Sequence, residues 1–139
     1  MKYDFTQAPE YLRIADDIIG SHAHFVGMQH VYTIAIFDNA CEFMAVVLYT
    51  DYTGMDIAMH IASVSPKWAT RESLRVIFTY PFVELGVQRV SAATKQSYAH
   101  ALEALRRVGF VREGELRNYH EDGDSDIISG MLKEECRWI

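Results

Sequence analysis

Asp56 and His60 are the side chains best suited to proton transfer in the segment DIAMHIAS, residues 56 to 63. This segment predicts a β-strand, in which successive side chains alternate between faces, so Asp56 and His60 share one face while Met59 and Ile61 face the core. Histidine titrates near neutral pH and can serve as a general base. We therefore take His60 and Asp56 as candidate catalytic residues. The alternative is that His60 is a structural histidine with its hydrogen bonds satisfied.

Three cations, Lys67, Arg71 and Arg75, surround the expected start of the next helix. Thr70 is a suitable N-cap residue for that helix, and a helix N-terminus favours anions. Ammonium and guanidinium groups within about a turn and a half of such a terminus suit a diphosphate. The alternative is a solvated basic patch with a capping threonine.

Charge and cysteine content limit the classes of function. The 139 residues carry a formal net charge of −6, whereas proteins that bind nucleic acid through its phosphates are normally basic. Cys41 and Cys136 are far apart in the chain and predict free thiols in a reducing compartment. His22 and His24 form the only close histidine pair, and without a neighbouring cysteine they do not indicate a zinc site.

The chain shows neither a membrane segment nor a targeting segment. No apolar run approaches the roughly 20 residues that a membrane-spanning helix needs. Residues 1 to 7 lack the basic start and apolar stretch of a secretory signal. We therefore expect a cytoplasmic protein with no membrane contact.

The order of predicted elements indicates one domain, residues 1 to 139, with a mixed sheet in an α/β or α+β arrangement. Apolar periodicity predicts helices over residues 8 to 20, 70 to 85 and 97 to 108. Alternating or β-branched segments predict strands over residues 31 to 37, 43 to 49, 56 to 63, 88 to 94, 110 to 117 and 126 to 133. Pro81 conflicts with the second helix and should kink its last turn.

Three segments resemble the motifs of one family: YPFVELGVQRV (residues 80 to 90), RVGFVREGELR (107 to 117) and DIISGMLKEEC (126 to 136). In this order and at this spacing they resemble the GNAT superfamily of acetyl-CoA-dependent N-acetyltransferases. The branch most similar to them acetylates the N-termini of ribosomal proteins. The resemblance implies the GNAT fold, a mixed central sheet flanked by helices.

The resemblance also implies where acetyl-CoA would bind. In this superfamily the cofactor lies between two parallel strands, here residues 56 to 63 and 88 to 94, and its pantetheine arm pairs with backbone groups. The backbone expected to do so belongs to Ile61, Ala62, Ser63 and Val64. The diphosphate would lie against a loop at residues 65 to 70 and the cations beside it, and the expected contacts are Lys67, Trp68, Ala69, Thr70, Arg71 and Arg75.

Several positions depart from the family pattern. Trp68 takes the place of a central glycine in the phosphate loop and should crowd the close approach of phosphates. In the later helix, Tyr98 stands where family members often have an asparagine, while Ala101 keeps the small residue expected beside the cofactor. Leu105 replaces the tyrosine that often serves as the acid.

The function implied is acetyl transfer from acetyl-CoA to a primary amine of a protein or small molecule. The alternative is a weak or inactive GNAT-like protein that binds CoA or a protein partner, which Trp68 would favour. Tyr119 and His120, in an expected loop near the end of the sheet, are lesser catalytic candidates or surface residues. Exposed strand edges could support a homodimer, with Trp138 either anchoring it or packing into the core.

Overall fold

The fold is built on one seven-stranded sheet. The computed structural model describes residues 1 to 20 and 24 to 139, so His22 lies outside the described residues, whereas His24 is exposed. The strands are β1 (Lys2–Asp4), β2 (Tyr32–Phe37), β3 (Phe43–Thr50), β4 (Asp56–Ser63), β5 (Arg89–Lys95), β6 (Val111–Leu116) and β7 (Asp126–Leu132). Their spatial order is β1-β2-β3-β4-β5-β7-β6. The β4–β5 pair is parallel and the other five pairs are antiparallel.

Helices cover both faces of the sheet. They are α1 (Glu10–Ile19), α2 (Arg71–Thr79) and α3 (Ala99–Val108), and the described chain also has short turns at Pro66–Trp68, Tyr80–Glu84 and Lys133–Glu135. Tyr11 and Ala15 of α1 pack against one face of the sheet. Leu74 and Phe78 of α2, with the C-terminal half of α3, pack against the other. The expected mixed sheet flanked by helices is confirmed.

Helix α2 begins as the sequence predicts but ends earlier. The hydroxyl of Thr70 accepts a hydrogen bond from the Ser73 amide, which is the expected N-cap. The helix ends at Thr79 and a wider π turn follows, because Pro81 has no amide hydrogen to donate to the Ile77 carbonyl. The hydroxyl of Tyr49 donates to that carbonyl instead.

Strand β1 was not predicted, because its three residues show no apolar alternation. The other six strands begin and end within one residue of the predicted positions, and both ends of β4 are as predicted. Among the described residues, no helix combines the length and apolar character required to cross a membrane.

Candidate functional site

The parallel strands β4 and β5 are paired along only part of their length. Their ladder covers three residue pairs, from Asp56 with Arg89 to Ala58 with Ser91. Beyond Ala58, β4 remains paired with β3 as far as Ser63, and β5 remains paired with β7 as far as Lys95. The two strands therefore separate into a V-shaped gap, and the facing backbone edges of the gap lack a β-ladder between them.

Two cavities meet at this gap, one on each face of the sheet. The larger, of about 670 Å³, lies on the α1 face, and the smaller, of about 190 Å³, lies on the α2 face. Five residues line both cavities: Ile61, Ser63, Ala93, Thr94 and Ala101. The gap thus gives an extended ligand backbone groups on both edges and space on both sides of the sheet.

His60 lies on the β4 wall of the larger cavity. Its Nε2 is 2.9 Å from the Thr50 hydroxyl, and that hydroxyl donates to the Asp51 carboxylate at 2.9 Å. Because a hydroxyl has one hydrogen, Thr50 accepts from Nε2, and the proton of a neutral His60 is on Nε2. The ring also packs edge-on against Phe25 at 5.0 Å.

Burial sets the protonation state of His60. Removal from water lowers the pKa of the imidazole below its usual value, and the negative charge of Asp51 only partly offsets this. His60 is therefore neutral at neutral pH. With Nε2 protonated, the lone pair is on Nδ1, the arrangement that a general base requires.

A second histidine lies on the opposite wall, which β7 and its preceding loop form. His120 Nε2 is 3.0 Å from Asp126 Oδ1, and both residues line the larger cavity. Tyr119 packs edge-on against His120 at 5.2 Å. Residue types and spacing give no signal for Asp126, because it reaches the cavity only through the pairing of β7 with β5.

Asp56 lies at the closed end of the strand pair and lines neither cavity. Its carboxylate accepts hydrogen bonds from Ser91 at 2.7 Å and from Arg89 at 3.3 Å. Asp56 and His60 do share one face of β4, as predicted. The structure brings His60 to the cavity and leaves Asp56 in a separate polar cluster.

The expected phosphate loop forms a short 3₁₀ turn. The Lys67 amide donates to the Ser65 hydroxyl at 3.2 Å, and the Ala69 and Thr70 amides donate to the carbonyls of Pro66 and Trp68. These three amides are therefore engaged within the loop. Lys67 is exposed, as are Arg71 and Arg75 beyond the turn, so this region presents three side-chain cations to an anion.

The Trp68 ring points inward and is only 8% exposed. It belongs to the core cluster on the α2 face and forms part of the wall of the smaller cavity. The ring therefore does not cover the outer face of the loop. Its placement weakens the argument that Trp68 favours a weak or inactive GNAT-like protein.

The other residues predicted to contact acetyl-CoA lie at different places around the gap. Ile61 and Ser63 line both cavities, while Ala62 is buried on the α1 face. The Val64 amide is already bonded to the Met44 carbonyl, so it is directed towards β3. Tyr98 and Ala101 line the larger cavity at the start of α3.

The C-terminal Trp138 packs within the monomer. Its indole nitrogen donates to the Val108 carbonyl at 2.8 Å, and the ring packs against the core. Arg71 lies over the same ring at 5.8 Å. Trp138 thus fixes the C-terminal segment beside the start of α2, which agrees with the core alternative for this residue.

Comparison with family models gives no match, and comparison with curated proteins gives none either. Solved structures do match. A variant of spermidine N-acetyltransferase SpeG from Vibrio cholerae aligns with a TM-score of 0.75 at 12% identity, covering 96% of each chain. An acetyltransferase of the GNAT family from Bacillus anthracis aligns with a TM-score of 0.63 at 15% identity, covering 74% of this chain and 67% of that one.

A third structure is a proposed acetyltransferase from T. thermophilus. It aligns with a TM-score of 0.67 at 23% identity, covering 78% of this chain and 62% of that one. At these identities the likeness shows the fold. The chain therefore has the fold of the GNAT acetyltransferases.

Proposed function

We propose that this protein transfers an acetyl group from acetyl-CoA to a primary amine. The observation that supports this most directly is the V-shaped gap between β4 and β5, with a neutral histidine on its wall. The gap offers backbone groups to an extended thioester arm, as an added strand would use them. The larger cavity provides space for the acceptor beside it.

Acetyl-CoA supplies the acetyl group as a thioester. In the proposed reaction, Nδ1 of His60 removes a proton from the acceptor ammonium, because only a neutral amine can attack. The amine nitrogen then forms a bond to the thioester carbonyl carbon, and the carbon–sulfur bond breaks. The thiolate takes a proton from solvent, and the remaining excess proton leaves the nitrogen as the amide forms.

The chain's backbone stabilises the charge that develops on the carbonyl oxygen. The amide of Ile61, in the unpaired stretch of β4, faces the gap because backbone groups alternate in direction along a strand, and it is suitably placed to donate to this oxygen. Thr50 and Asp51 fix the ring of His60 and its tautomer. His60, held by Thr50 and Asp51, is therefore the catalytic residue of this proposal. Asp56 has a structural role.

The cofactor diphosphate is assigned to Lys67, Arg71 and Arg75 rather than to the loop amides. These side chains are exposed, and Thr70 caps the helix that starts between them.

The acceptor remains a primary amine of a protein or of a small molecule. The resemblance to ribosomal-protein acetyltransferases favours the former, and the V. cholerae neighbour is named for spermidine. We place the reaction in the cytoplasm, where Cys41 and Cys136 stay reduced.

Calorimetric titration with acetyl-CoA and with CoA tests the proposal first. We expect micromolar binding, weakened about 30-fold in the Arg71→Ala, Arg75→Ala double variant, because two charge-assisted contacts of about 1 kcal/mol each are lost. The Arg13→Ala, Arg117→Ala variant removes two exposed arginines elsewhere and should bind normally. Release of free thiol in the presence of amines then measures transfer. Absence of binding at millimolar CoA would overturn the proposal.

A further inference from the structure

The loop from Asn118 to Ser125 that carries His120 is held by its own hydrogen bonds. The amides of Tyr119 and His120 both donate to the Asp124 carbonyl, and the Gly123 amide donates to the His120 carbonyl at 2.8 Å. Gly123 has φ +86° and supplies the left-handed turn that this closure needs. We call this segment the β6–β7 loop.

The β6–β7 loop is attached to the end of β5, at the open end of the gap. Lys95 pairs with Asp122 at 2.7 Å, and the Ser97 amide donates to the Asp124 carboxylate at 3.1 Å. The Gln96 amide donates to the Ser125 carbonyl at 2.9 Å. These contacts fix the loop, and the histidine it carries, against the wall of the larger cavity.

Asp126, the first residue of β7, is opposite Lys95 in the β5–β7 ladder. Its side chain is 10% exposed and that of His120 is 14% exposed. His120 donates to one carboxylate oxygen, which fixes the orientation of the group. Asp126 is therefore an oriented carboxylate in the cavity wall opposite His60.

The charges on the described cavity walls do not balance. Two carboxylates line the cavity, Asp51 on one side of the gap and Asp126 on the other. The only lysine or arginine among the described lining residues is Lys95, and its charge is matched by Asp122, which in turn raises the pKa of Lys95. Histidines apart, the described lining of the cavity carries an excess of negative charge, which favours a cationic ligand.

We propose that Asp126, oriented by His120, binds a second positively charged group on the acceptor. This rests on the acetyl transfer proposed above. An extended arm added between β4 and β5 as a strand would lie about two strand spacings, or about 9–10 Å, from the axis of β7, and a hydrogen bond to the Asp126 carboxylate covers about 3 Å of this. An acceptor whose second cation is about four carbons from the reacting amine fits this separation. The protein would therefore select diamines over monoamines, and over amines that carry a carboxylate.

Three acceptors with the same reacting end test this selectivity: 1,4-diaminobutane, butylamine and 4-aminobutanoate. We expect kcat/KM for the diamine to exceed that for butylamine at least tenfold in the native protein. Asp126→Asn should remove this advantage, mainly through a higher KM for the diamine, and leave butylamine within about threefold. Asparagine keeps the size of the side chain and an oxygen that accepts from His120.

Glu121→Gln is the matched control, because it removes one negative charge from the same loop at an exposed position that does not line the cavity. It should keep the selectivity. His120→Gln retains an N–H group that can donate to Asp126 and should lose less selectivity than Asp126→Asn. Thermal unfolding and CoA binding confirm that each variant is folded.

Direct calorimetric binding of 1,4-diaminobutane to the CoA complex separates the two proposals. If butylamine is acetylated as well as the diamine, the cation site is overturned and acetyl transfer stands. If no amine is acetylated but the diamine binds and Asp126→Asn abolishes this binding, the cation site stands and acetyl transfer is overturned. Absence of both acetylation and binding overturns both.

Discussion

At the closed end of the β4–β5 pair, one oxygen of the Asp56 carboxylate accepts hydrogen bonds from both Arg89 and Ser91. At the open end, the Asp126 carboxylate faces a cavity and holds His120 against its wall. Both ends are rich in polar side chains. They differ in strand pairing. At the closed end the parallel ladder brings side chains of the two strands into contact, whereas at the open end the strands diverge and their side chains face open space.

Distance along the strand separates the two ends. Asp56 and His60 share a face of β4, but four residues of an extended strand span about 13 Å. One residue therefore lies where the strands are paired and the other where they have parted. A shared face does not place two residues in one site when the strand passes from a ladder into a gap.

The closed end continues across β7 to β6. Arg89 pairs with Glu113 at 2.7 Å, and this ion pair lies directly over Gly130 of β7. The pair raises the pKa of Arg89 and lowers that of Glu113, chiefly through the hydrogen bond between them. The glutamate and glycine of two family-like motifs thus meet at one structural cluster, away from the cavity.

His60→Gln should give the largest effect of any change at either end. Loss of a general base lowers kcat by about 100-fold or more, while CoA binding should be unchanged. In the native protein, kcat should fall only at a pH lower than about 6.5, the usual pKa of histidine, since burial lowers the pKa of His60 and protonation removes its lone pair. The variant should lack this acid limb in a pH–rate profile.

His100→Gln is the matched control for His60, because His100 is exposed on α3 and lines neither cavity. The pH dependence of stability provides a second check, because stability should also decrease towards acid pH. The unfolded chain protonates His60 at a higher pH than the folded one, so the free energy of unfolding should decrease as pH falls below about 6.5. An acid limb that persists in His60→Gln would assign the base to another group.

Arg89→Gln should affect stability rather than catalysis. Removal of a partly exposed guanidinium that contacts Asp56, Ser91 and Glu113 should lower the free energy of unfolding by about 1 kcal/mol. Urea denaturation measures this loss, and kcat should stay within about twofold. Arg112→Gln breaks a more exposed pair with Glu115 and should cost less. A large loss of kcat in Arg89→Gln would show that the closed end contributes to the reaction.

The sequence predicts the fold well because its signals are local. The alternation in residues 56 to 63 gives β4 with correct ends, and Thr70 gives the start of α2. Strand β1 could not be predicted, since Lys2–Asp4 is held by pairing with β2 and has no pattern of its own. Pro81 predicts a disturbed last turn of α2, but the local sequence does not show that the hydroxyl of Tyr49, which is distant in sequence, bonds to the Ile77 carbonyl there.

The site is less predictable, because its residues are brought together by the pairing of strands that are distant in sequence. His60 is identifiable from its place in an apolar strand. Its partner Thr50 is brought beside it by the antiparallel pairing of β3 with β4. Asp126 reaches the cavity through its pairing with Lys95, and neither relation is visible in residue types or spacing.

Gly130→Ala should give the smallest effect and tests how the closed end is built. A Cβ at this position would lie 2.5 Å from Arg89 Nη2 and 2.8 Å from the Glu113 carboxylate. Both are ends of flexible side chains, so we expect the ion pair to move aside at a cost of about 0.5–1 kcal/mol, without a backbone shift. In the Arg89→Gln background the same substitution should cost less, because the crowding guanidinium is gone. A double-mutant cycle in urea measures this coupling, and additive costs would show that the backbone around Gly130, and not the ion pair over it, resists the added methyl group.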